Sequence, residues 1–191
     1  MALVLVTPPA GEPVSLTEAR AHLRVSADDE DALIAGYILA ARQWVERTTQ
    51  RKLATQTWDW QLDEFSPCLT PPVSPLQSVT SIQYTDPDGA LQTLPSSEYQ
   101  VDTGSLLARI APAYGKAWPA TRAQLHAVTV RLVIGYSTAM PEEFRHAILM
   151  LVAHWYENRE AIAAPNAGAP VPLGVQSLLS PHRLFVPEVA A

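Results

Sequence analysis

The chain has 191 residues, 48% of them hydrophobic and 17% charged, and a formal net charge of −6. That is enough apolar material for the core of one domain, or of one domain with an insertion, and it argues against global disorder. The acid excess argues against a surface dedicated to coating nucleic acid, and the single cysteine, Cys68, excludes an internal disulfide.

No apolar run reaches about 18 residues, so no membrane span is expected. Met1 to Val6 is apolar but short and lacks the basic start of a signal peptide, so a soluble protein made in the cytoplasm is expected. Residues 1–14 read as an extended arm, with Leu3 and Leu5 alternating with Val4 and Val6 before Pro8, Pro9, Gly11 and Pro13. Ser15 to Glu18 has the spacing of a capping box, and Leu16, Ala19 and Leu23 put one apolar face on a short helix behind it. Ser26 or Asp28 can cap a second, longer helix. From Asp28 to Thr48 apolar residues recur at Leu33/Ile34, Tyr37/Ile38, Ala41 and Trp44/Val45, an advance of three or four that makes one face continuously apolar. Acidic residues from Asp28 to Asp31 open this helix, and Arg42, Arg47, Arg51 and Lys52 close it, so both ends complement its dipole.

After Lys52 the period changes to two. Ala54, Trp58, Trp60 and Leu62 alternate with polar residues, which predicts a half-buried strand. Further strands are expected at 78–84, 90–93, 99–101, 106–110 and 128–136, with a turn at Asp86-Pro-Asp-Gly89. Several short strands joined by turns predict a small antiparallel sheet. Pro141, Glu142 and Glu143 then open a second long helix with Phe144, Ile148, Leu151/Val152 and Trp155 on its apolar face. Residues 161–172 read as an Ala/Pro/Gly-rich flexible linker. Val175, Leu178 and Leu179 follow as a helical turn, and Arg183 to Val186 as an extended end. The fold class expected is α+β: a small helical bundle from residues 1–53 and 140–160, an antiparallel β module at 54–139, and a linker with a docking tail at 161–191.

The sequence offers little for catalysis. Gly135-Tyr-Ser137-Thr-Ala139 lacks the last glycine of a nucleophile elbow. Cys68 sits in a proline-rich loop, and Glu143 and His146 have the E-x-x-H spacing of metal bundles without a second such pair. No catalytic, cofactor or metal site is expected, and no enzyme. Arg42, Arg47, Arg51 and Lys52 could touch nucleic acid, but a helix C-terminus attracts such residues by itself. The tail is harder to explain away. Apolar side chains placed beyond a linker dock somewhere, on their own domain or on a neighbour.

The run Val14-Ser-Leu-Thr-Glu-Ala-Arg-Ala-His-Leu-Arg24, the acidic start Asp28 to Asp31, and Ile38 to Arg51 resemble the opening of the head–tail connector (adaptor) proteins of long-tailed bacteriophages. Ala147 to Glu160 is similar to that family's last core helix, and Pro172-Leu-Gly-Val175 with Leu178, Leu179 and Arg183 resembles its tail. The middle, from Pro75 to Tyr84 and on through Gly135, Tyr136 and Pro141, looks like the variant with a β insertion, which also occurs in phage-like gene transfer agents. The resemblance implies a structural subunit of a ring, commonly of twelve, beneath the portal protein at the neck of a virion. Such a ring extends the DNA channel without gripping DNA and gives the tail stopper or terminator a docking surface. It also implies portal contact by Val175, Leu178, Leu179, Arg183, Leu184 and Phe185, and subunit packing by the long helices. The alternative is a non-viral soluble adaptor module whose apolar tail binds one partner protein. A third reading is an enzyme with a site the sequence does not reveal.

Overall fold

The change of apolar period near Lys52 marks a structural boundary. The computed structural model describes residues 1–137, 140–159 and 172–184. The chain divides into two compact units, Met1–Ala10 with Ala54–Ser137, and Gly11–Leu53 with Thr138–Ala191. The first is antiparallel β and the second helical, so the fold is α+β.

The helical unit contains α1 (Leu16–Leu23), α2 (Asp31–Thr49), α3 (Glu142–Glu157) and α4 (Leu173–Leu179), which runs into a 3-10 turn at Ser180–His182. Ser15 caps α1, its Oγ accepting the Glu18 N–H at 3.2 Å. The reciprocal half of the expected capping box is not made. The Glu18 carboxylate instead meets Arg145 of α3 at 3.1 Å, since an ionised partner outbids a backbone amide. Neither Ser26 nor Asp28 caps α2; Glu30 occupies that position without a side-chain bond to the helix amides. Arg20 takes Asp28 at 2.6 Å and Asp31 at 3.3 Å instead. The two chain ends meet as the patterning implied: Ile34, Ile38, Ala41 and Val45 of α2 are buried, as are Phe144, Ala147, Ile148, Leu151 and Val152 of the neighbouring α3.

The β unit is a five-stranded sheet in the order β1-β2-β7-β3-β4, all pairs antiparallel. Its strands are β1 (Ala2–Thr7), β2 (Gln56–Leu62), β3 (Leu76–Thr85), β4 (Leu91–Leu94) and β7 (Val128–Ile134). The central β7 buries Val128, Val130, Leu132 and Ile134 completely and turns Thr129, Arg131 and Val133 to the other face. On that second face Arg131 makes a two-pronged bond to Asp59 directly across on β2, both arms at 2.8 Å. β5 (Tyr99–Asp102) and β6 (Arg109–Pro112) form a separate two-stranded ribbon, not part of a single sheet as expected. The ribbon is held by paired backbone bonds between Leu69 and Ile110, and both residues join the core cluster of the sheet. β6 begins at Arg109, later than the alternation suggested. Asp102 fixes the preceding loop by accepting bonds from Gly104, Ser105 and Arg109.

One boundary needs correction. Residues 1–10 were expected beside the helices as an arm, but they belong to the β unit. β1 pairs with β2 in the register Leu3↔Trp60 and Leu5↔Trp58, so its alternation serves a sheet edge.

Candidate assembly surfaces

The tail is where the sequence placed partner contact, and the structure sorts its six named residues. Val175 (0% exposed), Leu179 (1%) and Leu184 (7%) are buried within the helical unit. Leu178 is half-buried, Arg183 is exposed, and Phe185 lies outside the described residues, as does all of the expected linker at 161–172 except Pro172. A seven-residue helix has no stability alone, so α4 exists because these anchors dock. The docking is polar as well as apolar. The Leu184 N–H donates to the Thr49 carbonyl at 3.0 Å, Arg183 Nε to the Thr48 carbonyl at 3.2 Å, and Arg51 Nε to the His182 carbonyl at 2.8 Å. The His182 ring lies 4.7 Å from that of Phe144. A side chain at Gly174 would meet Met150, which sets how close α4 comes to α3.

The basic residues at the end of α2 are mostly committed to the fold. Arg42 is buried between Glu12, at 2.6 Å, and Glu46, at 3.3 Å. Burial alone would lower the Arg42 pKa; the bond to Glu12 and the charge of Glu46 outweigh it and raise it. Glu46 also holds Lys52 at 3.6 Å and accepts the Leu53 N–H at 3.0 Å. Of the four cations, Arg47 is the one left on an exposed position of α2. At the other end of α2, Glu30 accepts hydrogen bonds from Tyr156 and Arg159 of the α3 end, which hold its carboxyl below the usual range.

The outward face of α2 was missed in the sequence. Leu33 was assigned to the buried stripe, yet it is 37% exposed, and Leu39 is 42% exposed. Ala32, Gly36, Ala40 and Gln43 are exposed beside them. A signal was available: the ten residues from Ala32 to Ala41 contain no charge, so the helix is neutral on every side, whereas a solvated face is ordinarily polar. On another side of the unit, Glu142, Glu143, Arg145, His146, Leu149 and Leu178 line an open groove of about 520 Å³ between α3 and α4.

The residues considered for chemistry are not brought together. Cys68 is exposed and lines an open groove of about 360 Å³ with Gln100, Val101, Asp102, Arg109 and Ala111, where no histidine is present. Asp102 there is held far below the carboxylate range by the Ser105 hydroxyl and then Arg109. Gly135, in the elbow-like string, has φ 115° and packs so tightly on Ala54 that a Cβ would strike its carbonyl. Among the described residues no group of three or more His, Cys, Asp or Glu could hold a metal, and no helix is long and apolar enough to cross a membrane.

The chain is an α+β fold with a neutral, exposed face on α2 and a tail anchored at the end of its helical unit. Residues 13–99 match the model of the phage gp6-like head-tail connector protein family. The chain is also similar along its full length to three solved structures. These are a protein of the virion of a native gene transfer agent particle (24% identity, TM-score 0.81), one from the neck of an empty particle computed with C6 symmetry (23%, 0.80), and one from the neck of a native particle computed with C12 symmetry (23%, 0.78). Each comparison covers 100% of this chain and 99% of the other. No curated protein matches the sequence.

Proposed function

We propose that this chain is a structural subunit of the head–tail connector of a phage-like particle. Copies form a ring at the neck, beneath the portal, and extend the DNA channel toward the tail stopper or terminator. The observation that carries this reading is the joint one: a connector-family segment at 13–99 within a chain that shares its whole fold with a protein from a C12 neck. The ring number proposed is twelve. The subunit has no catalytic duty, and DNA passes without specific binding. The sequestering of Arg42 and Lys52 by Glu46 suits such a channel.

The tail is the proposed portal contact, with a division of labour among its residues. Val175, Leu179, Arg183 and Leu184 fasten the tail to its own unit, and Phe185 and the residues beyond it meet the portal. Truncating the whole tail would confound the two roles, because it would also uncover the Phe144 side of α3. The clean test is removal of residues 185–191, which leaves the docked part of the tail in place, assayed by portal co-purification. Loss of portal binding with an unchanged melting temperature supports the assignment, and unchanged binding refutes it. The ring is tested by mass photometry and negative-stain imaging of the purified chain, alone and with its portal. A closed species near twelve copies in either sample is expected. A chain that stays monomeric or dimeric in both would replace the connector reading with that of an adaptor module binding one partner.

A further inference from the structure

The neutral face of α2 and the groove between α3 and α4 lie on different sides of the same helical unit. We infer that they are the two halves of one interface: the α2 face of one copy seats in the α3–α4 groove of the next copy. The inference rests on the ring reading and names the surfaces that close it.

Three observations select a second copy as the occupant. First, a cyclic ring needs a heterologous contact, with two different patches on every chain, and this unit carries two that suit each other. The ridge presents Leu33 and Leu39, with Gly36 open between them because nothing lies within 4 Å of where its Cβ would be. The groove offers Leu149 and Leu178 at its base. Second, the charges complement. The ridge is uncharged from Ala32 to Ala41 and ends in exposed Arg47; at the groove Arg145 is taken up by Glu142 at 3.2 Å and Glu18 at 3.1 Å, which leaves the exposed carboxylate of Glu143 at the rim. Third, the size fits a contact that is repeated around a ring. Residues 32–43 of a helix run about 18 Å and are roughly 10 Å wide, a footprint of about 200 Å², well below the roughly 800 Å² per partner of a stable pair. One such contact is too weak to hold an isolated dimer and gains its effect from closure or from a template.

The test is site-directed cross-linking of the full chain in a Cys68→Ser background, with a short bismaleimide and increasing protein concentration. Leu39→Cys combined with Glu143→Cys should give a ladder of covalent dimers, trimers and higher species on denaturing gels. Each single variant should give at most dimers, in at least tenfold lower yield. Both positions are exposed, so neither substitution threatens folding. Leu39→Asp, read by mass photometry, should abolish higher-order species without changing the melting temperature. No ladder from the double variant overturns the inference. So does a dimer from Leu39→Cys alone at comparable yield, which would mean that two α2 faces pair symmetrically. The parent chain in the mass photometer reports on the connector reading separately: rings without a ladder sink this interface and leave the ring.

Discussion

Leu179→Ala tests whether the tail is a docked element of the fold. Leu179 is 1% exposed in a seven-residue helix held by two buried side chains of its own, Val175 and Leu179, with buried Leu184 just beyond it. The substitution removes three carbons, about 2.4 kcal/mol at roughly 0.8 kcal/mol per buried methylene. The cavity left against α3 brings the expected loss to about 3–4 kcal/mol, within the roughly 2–5 kcal/mol range of such changes. Because α4 cannot stand alone, the loss falls first on tail docking and only then on the rest of the unit. Hydrogen exchange followed by mass spectrometry reads this directly. In the parent chain, peptides spanning 175–184 should be protected, with the Leu184 amide slowed by its bond to Thr49. In Leu179→Ala they should exchange at least a hundredfold faster, while peptides from the middle of α2 change little. The reasoning fails if those peptides already exchange at the free-chain rate in the parent, or if the substitution leaves their protection intact.

Four further outcomes follow from single contacts. Arg42→Ala removes one of the two cations on the buried Glu46 and leaves Lys52 at 3.6 Å, so in a denaturant titration it should cost less than the roughly 3–5 kcal/mol of a fully unpaired buried charge. Gly135→Ala forces a side chain into a left-handed backbone position against the Ala54 carbonyl, and should cost more than about 2 kcal/mol by thermal melting. A double-mutant cycle at Asp59 and Arg131 should return a coupling of only about 0.5–1 kcal/mol, because the guanidinium is partly solvated. Glu30 has a folded pKa lowered by Tyr156 and Arg159, so its contribution is present above the ordinary value of 4.5 and is lost as pH falls through the lowered value. In the acid range Glu30→Gln should therefore melt with a shallower pH dependence than the parent, and parallel curves would remove Glu30 from the account.

The sequence by itself determined the element types and the boundary near Lys52, because both are periodicity, a property of neighbours along the chain. The 3.6 repeat from Ile34 to Val45 and the strict alternation from Val128 to Ile134 each name the face that must leave water, and both faces are buried. The tertiary structure decided the partners. Nothing local says that Leu3 and Leu5 edge a sheet through Trp60 and Trp58, that Glu18 prefers Arg145 to its own helix cap, or that Arg42 turns inward to Glu12 instead of outward. Those choices compare contacts from 30 to 127 residues apart, or weigh a guanidinium against an amide for one carboxylate. The tail and the α2 face show the same limit from opposite sides. Apolar residues at Val175, Leu179 and Leu184 read as surplus until the rest of the helical unit covers them, and Leu33 read as core until the packed unit left it outside. Hydrophobicity states that a side chain will be covered, and only the assembled fold states by what.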